Sequence, residues 1–442
     1  MGKWLSYALI FFQILLVLSA VQRERLLQVL PSITWFTTMF MPFFFVSDYF
    51  PEDSRRNQFI GILIITLVLQ FTDLIAISVV KNFDSQHLNL SIYKLGAIFW
   101  FSISCCLMVP IMHYMLAGNI PLLDQIFGAH TPEEISKLRE NYSKELDLPY
   151  LFKILPNLIF TIFGPYVVLV LVKMRRYISA ASIFLWCLFY ALSSSADLPA
   201  IILLGATLIA LMLVMTKPVI RIATFLILST VLTISVSGIV LKNELENGTR
   251  KCSLLETRNE PLGDTIRGCD QKGYVWVNPV VDRIAYRVFL TPVEVSNEWY
   301  RFYGDGPSPK RSIKSLLDRQ ESQSAANQVG NWAYVQKFPD KYLTSNSSYA
   351  SIDADGFSFG WSAVLFSGFA LILIRVIIIL GGRSRDFRSQ ILASLMLSQL
   401  VLFPFQASIQ AILFPQGLGF LLLIYFGQYI YPLLMKLNPF TK

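Results

Sequence analysis

The chain has 442 residues, of which 54% are hydrophobic and 15% charged, with a mean hydropathy of +0.53. A water-soluble domain carries about 25% charged residues, so this composition excludes an ordinary soluble enzyme and predicts an all-α polytopic membrane protein. The net charge of +8 is not a nucleic-acid signal, because much of it sits in short loops between apolar runs, where it sets membrane orientation.

Apolar runs near the length that crosses a bilayer recur along the chain. They predict about eleven spans (ten to twelve), at 5–20, 30–48, 59–80, 95–116, 154–172, 178–193, 198–216, 219–241, 361–380, 389–407 and 414–435. Residues 5–20 are followed by "VQRERLLQ" rather than a small-residue cleavage site, so this run reads as a first span and not as a signal peptide. Residues 1–241 then form a transmembrane bundle, 242–360 a large loop between the eighth and ninth spans, and 361–442 the last spans. Outside residues 117–153 and this loop, the charges concentrate in the connections rather than inside the apolar runs.

Within 117–153, Thr131-Pro132-Glu133-Glu134 forms a capping box, which predicts a charged surface helix. Lys173, Arg175, Arg176, Lys217, Arg221, Arg383, Arg385 and Arg388 fall on one side by the span count. The positive-inside rule makes that side cytoplasmic, and the large loop then faces outward. Arg55 and Arg56 would also lie outside, against the rule, so the topology is firm only after residue 150.

The loop takes about a quarter of the chain, too long for an unstructured connection. Asn278-Pro279 opens one helix. Thr291-Pro292-Val293-Glu294 is a second capping box, opening a helix to about Tyr303 that stops at Gly304-Asp305-Gly306. A third helix is predicted near 311–326, and "DADG" at 353–356 reads as a turn. Cys252 and Cys269 are the loop's two cysteines and suggest a disulfide if it faces an oxidising compartment. Cys105, Cys106 and Cys187 lie in apolar runs and read as packing residues.

In "DRIAYRVFLTPVE", Arg283 and Arg287 lie one helical turn apart and share a face. A forked guanidinium pair suits phosphate or pyrophosphate. Solvated arginines, or arginines paired with Asp282 or Glu294, are the plainer reading of the spacing alone. The aromatic context of Tyr286, Phe289, Trp299, Tyr300 and Tyr303 favours a buried or headgroup position, where an arginine needs an anion. There is no P-loop, no Gly-x-Ser-x-Gly and no metal-ligand spacing among His87, His113 and His130. Neither cofactor nor metal is expected. Asp353 and Asp355 suit a sugar hydroxyl or Ca²⁺, or a plain turn.

The layout of about eight spans, a large outward loop and three last spans resembles the Wzy-type O-antigen polymerases, oligosaccharide repeat-unit polymerases with a GT-C-like bundle. So do "YRVFLTPVEVSNEWYRFYGDG" and the return "NSSYASIDADGFSFGWSAV". The resemblance implies a glycosyltransferase of the bacterial inner membrane. It would join polyprenyl-pyrophosphate-linked glycans at its periplasmic loop, among membrane lipid, with a chain-length regulator protein as a possible partner. Arg283 and Arg287 would then stabilise the leaving pyrophosphate. Glu294, Asp353 and Asp355 are the candidate bases, and Tyr286, Tyr300, Arg301, Tyr303 and Arg319 the candidate substrate contacts. Arg319 and Gly330 match a family Arg-to-Gly spacing, whereas Ser195-Ala196-Asp197 stands where the family often has Ser-Arg. The loop has no histidine, which favours polymerase over the related O-antigen ligases. A lipid-linked oligosaccharide flippase is the alternative of another class; it is expected to hold charges inside its spans and to have short loops.

Overall fold

In the computed structural model the described residues are 2–22, 26–79, 96–117, 120–127, 138, 142, 150–193, 197–214, 291–304, 309–312, 325–337, 350–384, 387–404, 407, 409–413 and 416–437. All regular structure among them is helical, with no strand. The first elements are α1 (Gly2–Gln22), α2 (Leu30–Trp35), a π-helical turn at Phe36–Phe40, α3 (Met41–Val46) and α4 (Glu52–Val79). They continue with α5 (Ala97–Ala117), α6 (Pro121–Phe127), α7 (Tyr150–Leu158), a second π-helical turn at Ile159–Phe163, α8 (Gly164–Lys173), α9 (Tyr177–Ser193) and α10 (Asp197–Val214). The later elements are α11 (Thr291–Gly304), α12 (Ala325–Lys337), α13 (Ile352–Phe357), α14 (Trp361–Arg383), α15 (Phe387–Leu402), α16 (Ile409–Leu413) and α17 (Leu418–Leu437).

Four stretches among the described residues are long and apolar enough to cross a membrane: Glu52–Val79, Ala97–Ala117, Ile154–Lys173 and Trp361–Arg383. Shorter apolar helices occupy Ser6–Gln22, Tyr177–Ser193, Ile202–Met212 and Leu418–Gly427. The expected run at 30–48 is helical but broken into α2, a π-helical turn and α3, with Pro31 and Pro42 at the starts of the two α segments. The expected span at 219–241 lies outside the described residues. α14 shows why these helices suit lipid: it exposes Leu365, Phe366, Phe369, Leu373 and Leu380 on one side and buries Val364, Leu371, Ile374 and Ile378 on the other. A helix apolar on both faces packs on one and meets hydrocarbon on the other.

The chain divides into two units. The first holds Met1–Val80, Lys251–Val376 and Leu400–Ala411; the second holds Lys81–Arg250, Ile377–Gln399 and Ile412–Lys442.

In the first unit α11 packs against α4, α12 and α13, and α13 also packs against α4. Trp299, Tyr300, Phe302, Tyr303, Val329 and Phe357 make the aromatic core between them. Each such side chain, fully buried, contributes roughly 1.5–3 kcal/mol. The charge pattern differs from expectation here: Asp73 on α4 and Arg375 on α14 form a buried ion pair at 3.2 Å, inside two of the apolar helices.

The second unit is built around the stretch Ile159–Val172, whose side chains are almost all buried, with α5, α9 and α10 packed on it. Cys105, Cys106 and Cys187 are buried free thiols there, which fits a packing role. His113, in the last turn of α5, lies 2.8 Å from the Tyr190 hydroxyl and 3.1 Å from the Tyr142 carbonyl. A carbonyl only accepts, so Nε2 carries the proton and Tyr190 donates to Nδ1. His113 is therefore bonded at both nitrogens within the protein.

Candidate functional site

α11 begins where the capping box predicts, at Thr291-Pro292 with Glu294 in its first turn, and ends at Gly304. Its aromatic residues cover most of its circumference, so it is buried on nearly all sides. One polar row binds it to α4. Gln58 donates from Nε2 to the Val293 carbonyl at 2.9 Å and accepts from Asn297 Nδ2 at 2.9 Å. The Asn297 amide also lies 3.3 Å from Ser54 Oγ. Ser54, Gln58 and Asn297 are all buried, so these bonds form away from competing water and fix the register of the two helices.

One turn further along the same face, the Tyr300 hydroxyl donates to Asp353 Oδ2 at 3.1 Å. Both residues are fully buried, and Asp353 Oδ1 has no hydrogen-bond partner among the described residues. Burial pushes the Asp353 carboxyl up to about 6, against the opposing pull of its hydrogen bonds. The Tyr300 hydroxyl is pushed well above its ordinary value, first by burial and then by the adjacent carboxylate. Gly61 of α4 makes the arrangement possible: a Cβ there would lie 1.9 Å from the Tyr300 hydroxyl oxygen and 3.1 Å from Asp353 Oδ2.

The "DADG" segment is the helix α13 and not the expected turn. It opens on Ser351 and buries all six of its residues. Its helical form separates the two carboxylates, since neighbours two apart do not share a helix face. Asp353 turns to Tyr300. Asp355 pairs with Arg311, whose Nη1 lies 3.2 Å from Oδ1. Burial raises the Asp355 carboxyl, and the Arg311 guanidinium partly offsets this. The chain then turns at Gly360, whose φ of +108° favours glycine, and enters α14 at Trp361.

Residues 309–312 lie over this turn. The Arg311 amide donates to the Ser358 carbonyl at 2.7 Å, and its guanidinium stacks 4.2 Å from the Phe359 ring centroid. Lys310 donates from Nζ to the Phe357 carbonyl at 3.1 Å and sits 3.0 Å from that residue's ring centroid. Partial burial lowers the Lys310 ammonium to about 8. Among the described residues no carboxylate forms an ion pair with Lys310, and Arg311 Nε is buried without a hydrogen-bond partner. Two cations, one of them without a counter-charge among the described residues, thus stand on an aromatic surface directly before a membrane-length helix. Such donors suit phosphate oxygens.

Of the residues singled out from the sequence, Tyr300 and Asp353 meet, while Asp355 turns instead to Arg311. Glu294 lies in the first turn of α11, half-buried. Arg301 stacks 5.4 Å from the Trp332 ring centroid. Tyr303 is buried between Trp299 and Phe302. Arg283, Arg287, Tyr286, Arg319, Cys252 and Cys269 lie outside the described residues. Of the third helix expected near 311–326, residues 311 and 312 are not helical and 313–324 lie outside the described residues, while a helix runs over Ala325–Lys337 and extends past the expected end. Lys310 and Arg311 were missed. Their signal was the adjacent pair after Pro309, which has no helical spacing to attract notice.

No protein-family model, curated protein or solved structure matches the chain.

Proposed function

We propose that the protein is a membrane glycosyltransferase that joins polyprenyl-pyrophosphate-linked oligosaccharide repeat units into O-antigen or a similar surface polysaccharide. It would work on the periplasmic face of the inner membrane. The observation that carries this reading is the Lys310–Arg311 pair, set with Asp355 on an aromatic surface one turn before α14. A lipid-anchored pyrophosphate is presented at the membrane surface and needs cations there, while sugar rings need aromatic faces and carboxylates.

In this reading Lys310 takes the pyrophosphate oxygens beside the Arg311 guanidinium, with Arg283 and Arg287 as further clamps. The acceptor hydroxyl oxygen attacks the anomeric carbon. The bond from that carbon to the pyrophosphate oxygen breaks, and the leaving group keeps the electron pair. The hydroxyl proton passes to a carboxylate. Asp355 suits this role better than Asp353, because it is 8% exposed where Asp353 is fully buried. Asp353 is then a positioning group, which holds Tyr300 and through it α11. Glu294 stays with the helix start.

A second reading, transport of a lipid-linked oligosaccharide, is favoured by the Asp73–Arg375 pair inside two apolar helices. Surface polysaccharide from a strain lacking the protein separates the readings. Single repeats on lipid core support polymerisation; a core without any repeat supports transport or ligation.

A further inference from the structure

The Asp73–Arg375 pair belongs to a larger buried network in the first unit, and the glycosyltransferase reading does not use that network. Asp73 Oδ2 accepts from the Ser32 amide at 3.0 Å. Gln13 of α1 donates to Ser32 Oγ at 3.1 Å, and Gln70 of α4 donates to Gln13 Oε1 at 2.8 Å. Arg375 Nη2 donates to the Gln28 carbonyl, with the Gln28 side-chain oxygen at 3.4 Å. Every one of these side chains is buried, Asp73 at 0% and Arg375 at 1% exposure.

The inventory does not close among the described residues. A guanidinium has five N–H donors in a fixed fork. Those on Nη2 go to Gln28, and Asp73 Oδ1 lies 3.2 Å away as an ion pair without a hydrogen bond; Nε and Nη1 of Arg375 and Oδ1 of Asp73 have no hydrogen-bond partner among the described residues. Gln70 Oε1 is also without one. Arginine cannot escape by losing its proton. In an apolar helix bundle, bare N–H groups are strongly unfavourable.

We propose that this network is an internal hydration site within the membrane-length helices, holding water on the free N–H groups of Arg375. Charge decides between water and an anion. Asp73 and Arg375 already sum to zero, so an added anion would leave a net charge buried away from solvent, whereas water adds none. The donors and the amide oxygen also match water, which accepts and donates, better than an ion that only accepts. The site gives water, and the protons it exchanges, a resting place on α1, α4 and α14.

Brief X-ray radiolysis of the full chain in lipid nanodiscs tests this, because hydroxyl radicals formed from water held inside a protein oxidise the side chains beside it. Leu69 and Ile77 flank Asp73 by one turn on α4 and are 2% and 0% exposed; Ile62 and Ile65, both 0% exposed, lie further along the same helix as controls. Oxidation of Leu69 and Ile77 without Ile62 and Ile65 is expected, and its loss in an Asp73→Leu/Arg375→Met double variant. No oxidation at Leu69 and Ile77 would overturn the site, as would equal oxidation at all four. If the double variant does not fold, the comparison within the wild-type chain still decides.

Discussion

The Tyr300 hydroxyl donates to Asp353 Oδ2 across 3.1 Å, and the bond joins α11 to the helix that leads into α14. It also closes over Gly61, where any side chain would strike the hydroxyl oxygen. Gly61→Ala is therefore expected to destabilise the first unit by about 1–3 kcal/mol, the usual cost of overpacking. Tyr300→Phe removes the oxygen that the new methyl meets. In a double-mutant cycle followed by thermal unfolding, Gly61→Ala should cost less in the Tyr300→Phe background than alone. Equal costs in both would show that the clash is relieved elsewhere.

Asp353 makes stability depend on pH. Its carboxyl rises from 3.8 to about 6 in the folded chain, so between those values the folded state holds a proton that the unfolded state has lost. Stability then falls as pH rises through this window, and the loss is complete above about pH 6. Asp353→Asn lacks this loss while its amide oxygen can still accept from Tyr300. The variant is expected to be as stable as wild type near pH 4 and more stable near pH 7, by up to roughly 3 kcal/mol. Unfolding midpoints at the two pH values in one detergent check the sign.

If the protein polymerises as proposed, Lys310 should set an upper limit on the pH range of the reaction. Its ammonium falls to about 8 by partial burial, so the charge is present below that value and lost as pH rises through it. Polymer formation should decline through about pH 8 in the wild type. Lys310→Arg, which keeps its charge, should move that decline upward. An unchanged profile would remove Lys310 from the anion site.

How far the sequence could be read depends on distance along the chain. The start of α11 was legible because its determinants, Thr291, Pro292 and Glu294, are neighbours. Four of the expected apolar runs, at Glu52–Val79, Ala97–Ala117, Ile154–Lys173 and Trp361–Arg383, were legible because length and composition alone define them. The bonds that shape the site were not: Asn297 meets Ser54 across 243 positions of sequence, and Tyr300 meets Asp353 across 53. Gly61 looks like any glycine in an apolar run until Tyr300 is placed against it. Asp353-Ala354-Asp355-Gly356 has the composition of a turn, yet burial against α4 and α11 makes it a helix. Tertiary packing overrode local preference there. Asp73 and Arg375 are single charges in long apolar runs, and nothing local says that they face each other.

Arg283 and Arg287 provide a separate test of the loop. Arg283→Ala or Arg287→Ala is expected to leave single-repeat glycans at normal protein abundance, with a loss of about 100-fold or more in rate. Lys at either position should rescue only in part, because a point charge lacks the forked contact. Surface glycan length and protein level, measured in the same cells, check this.

The loop's cysteines give a further prediction that does not depend on the chemistry. Cys252 and Cys269 should form a disulfide if the loop faces the periplasm, and mass spectrometry of unreduced protein should find the linked peptides. Free thiols at both positions would contradict that placement.

The most direct measurement is reconstitution of the purified protein in proteoliposomes with polyprenyl-pyrophosphate-linked repeat units and no other protein. Wild-type protein should convert single repeats into a ladder of longer lipid-linked glycans and release polyprenyl pyrophosphate, and Lys310→Ala should lose most of the ladder while remaining folded. Movement of unaltered repeat units across the bilayer, with no ladder and no released pyrophosphate, would contradict the account.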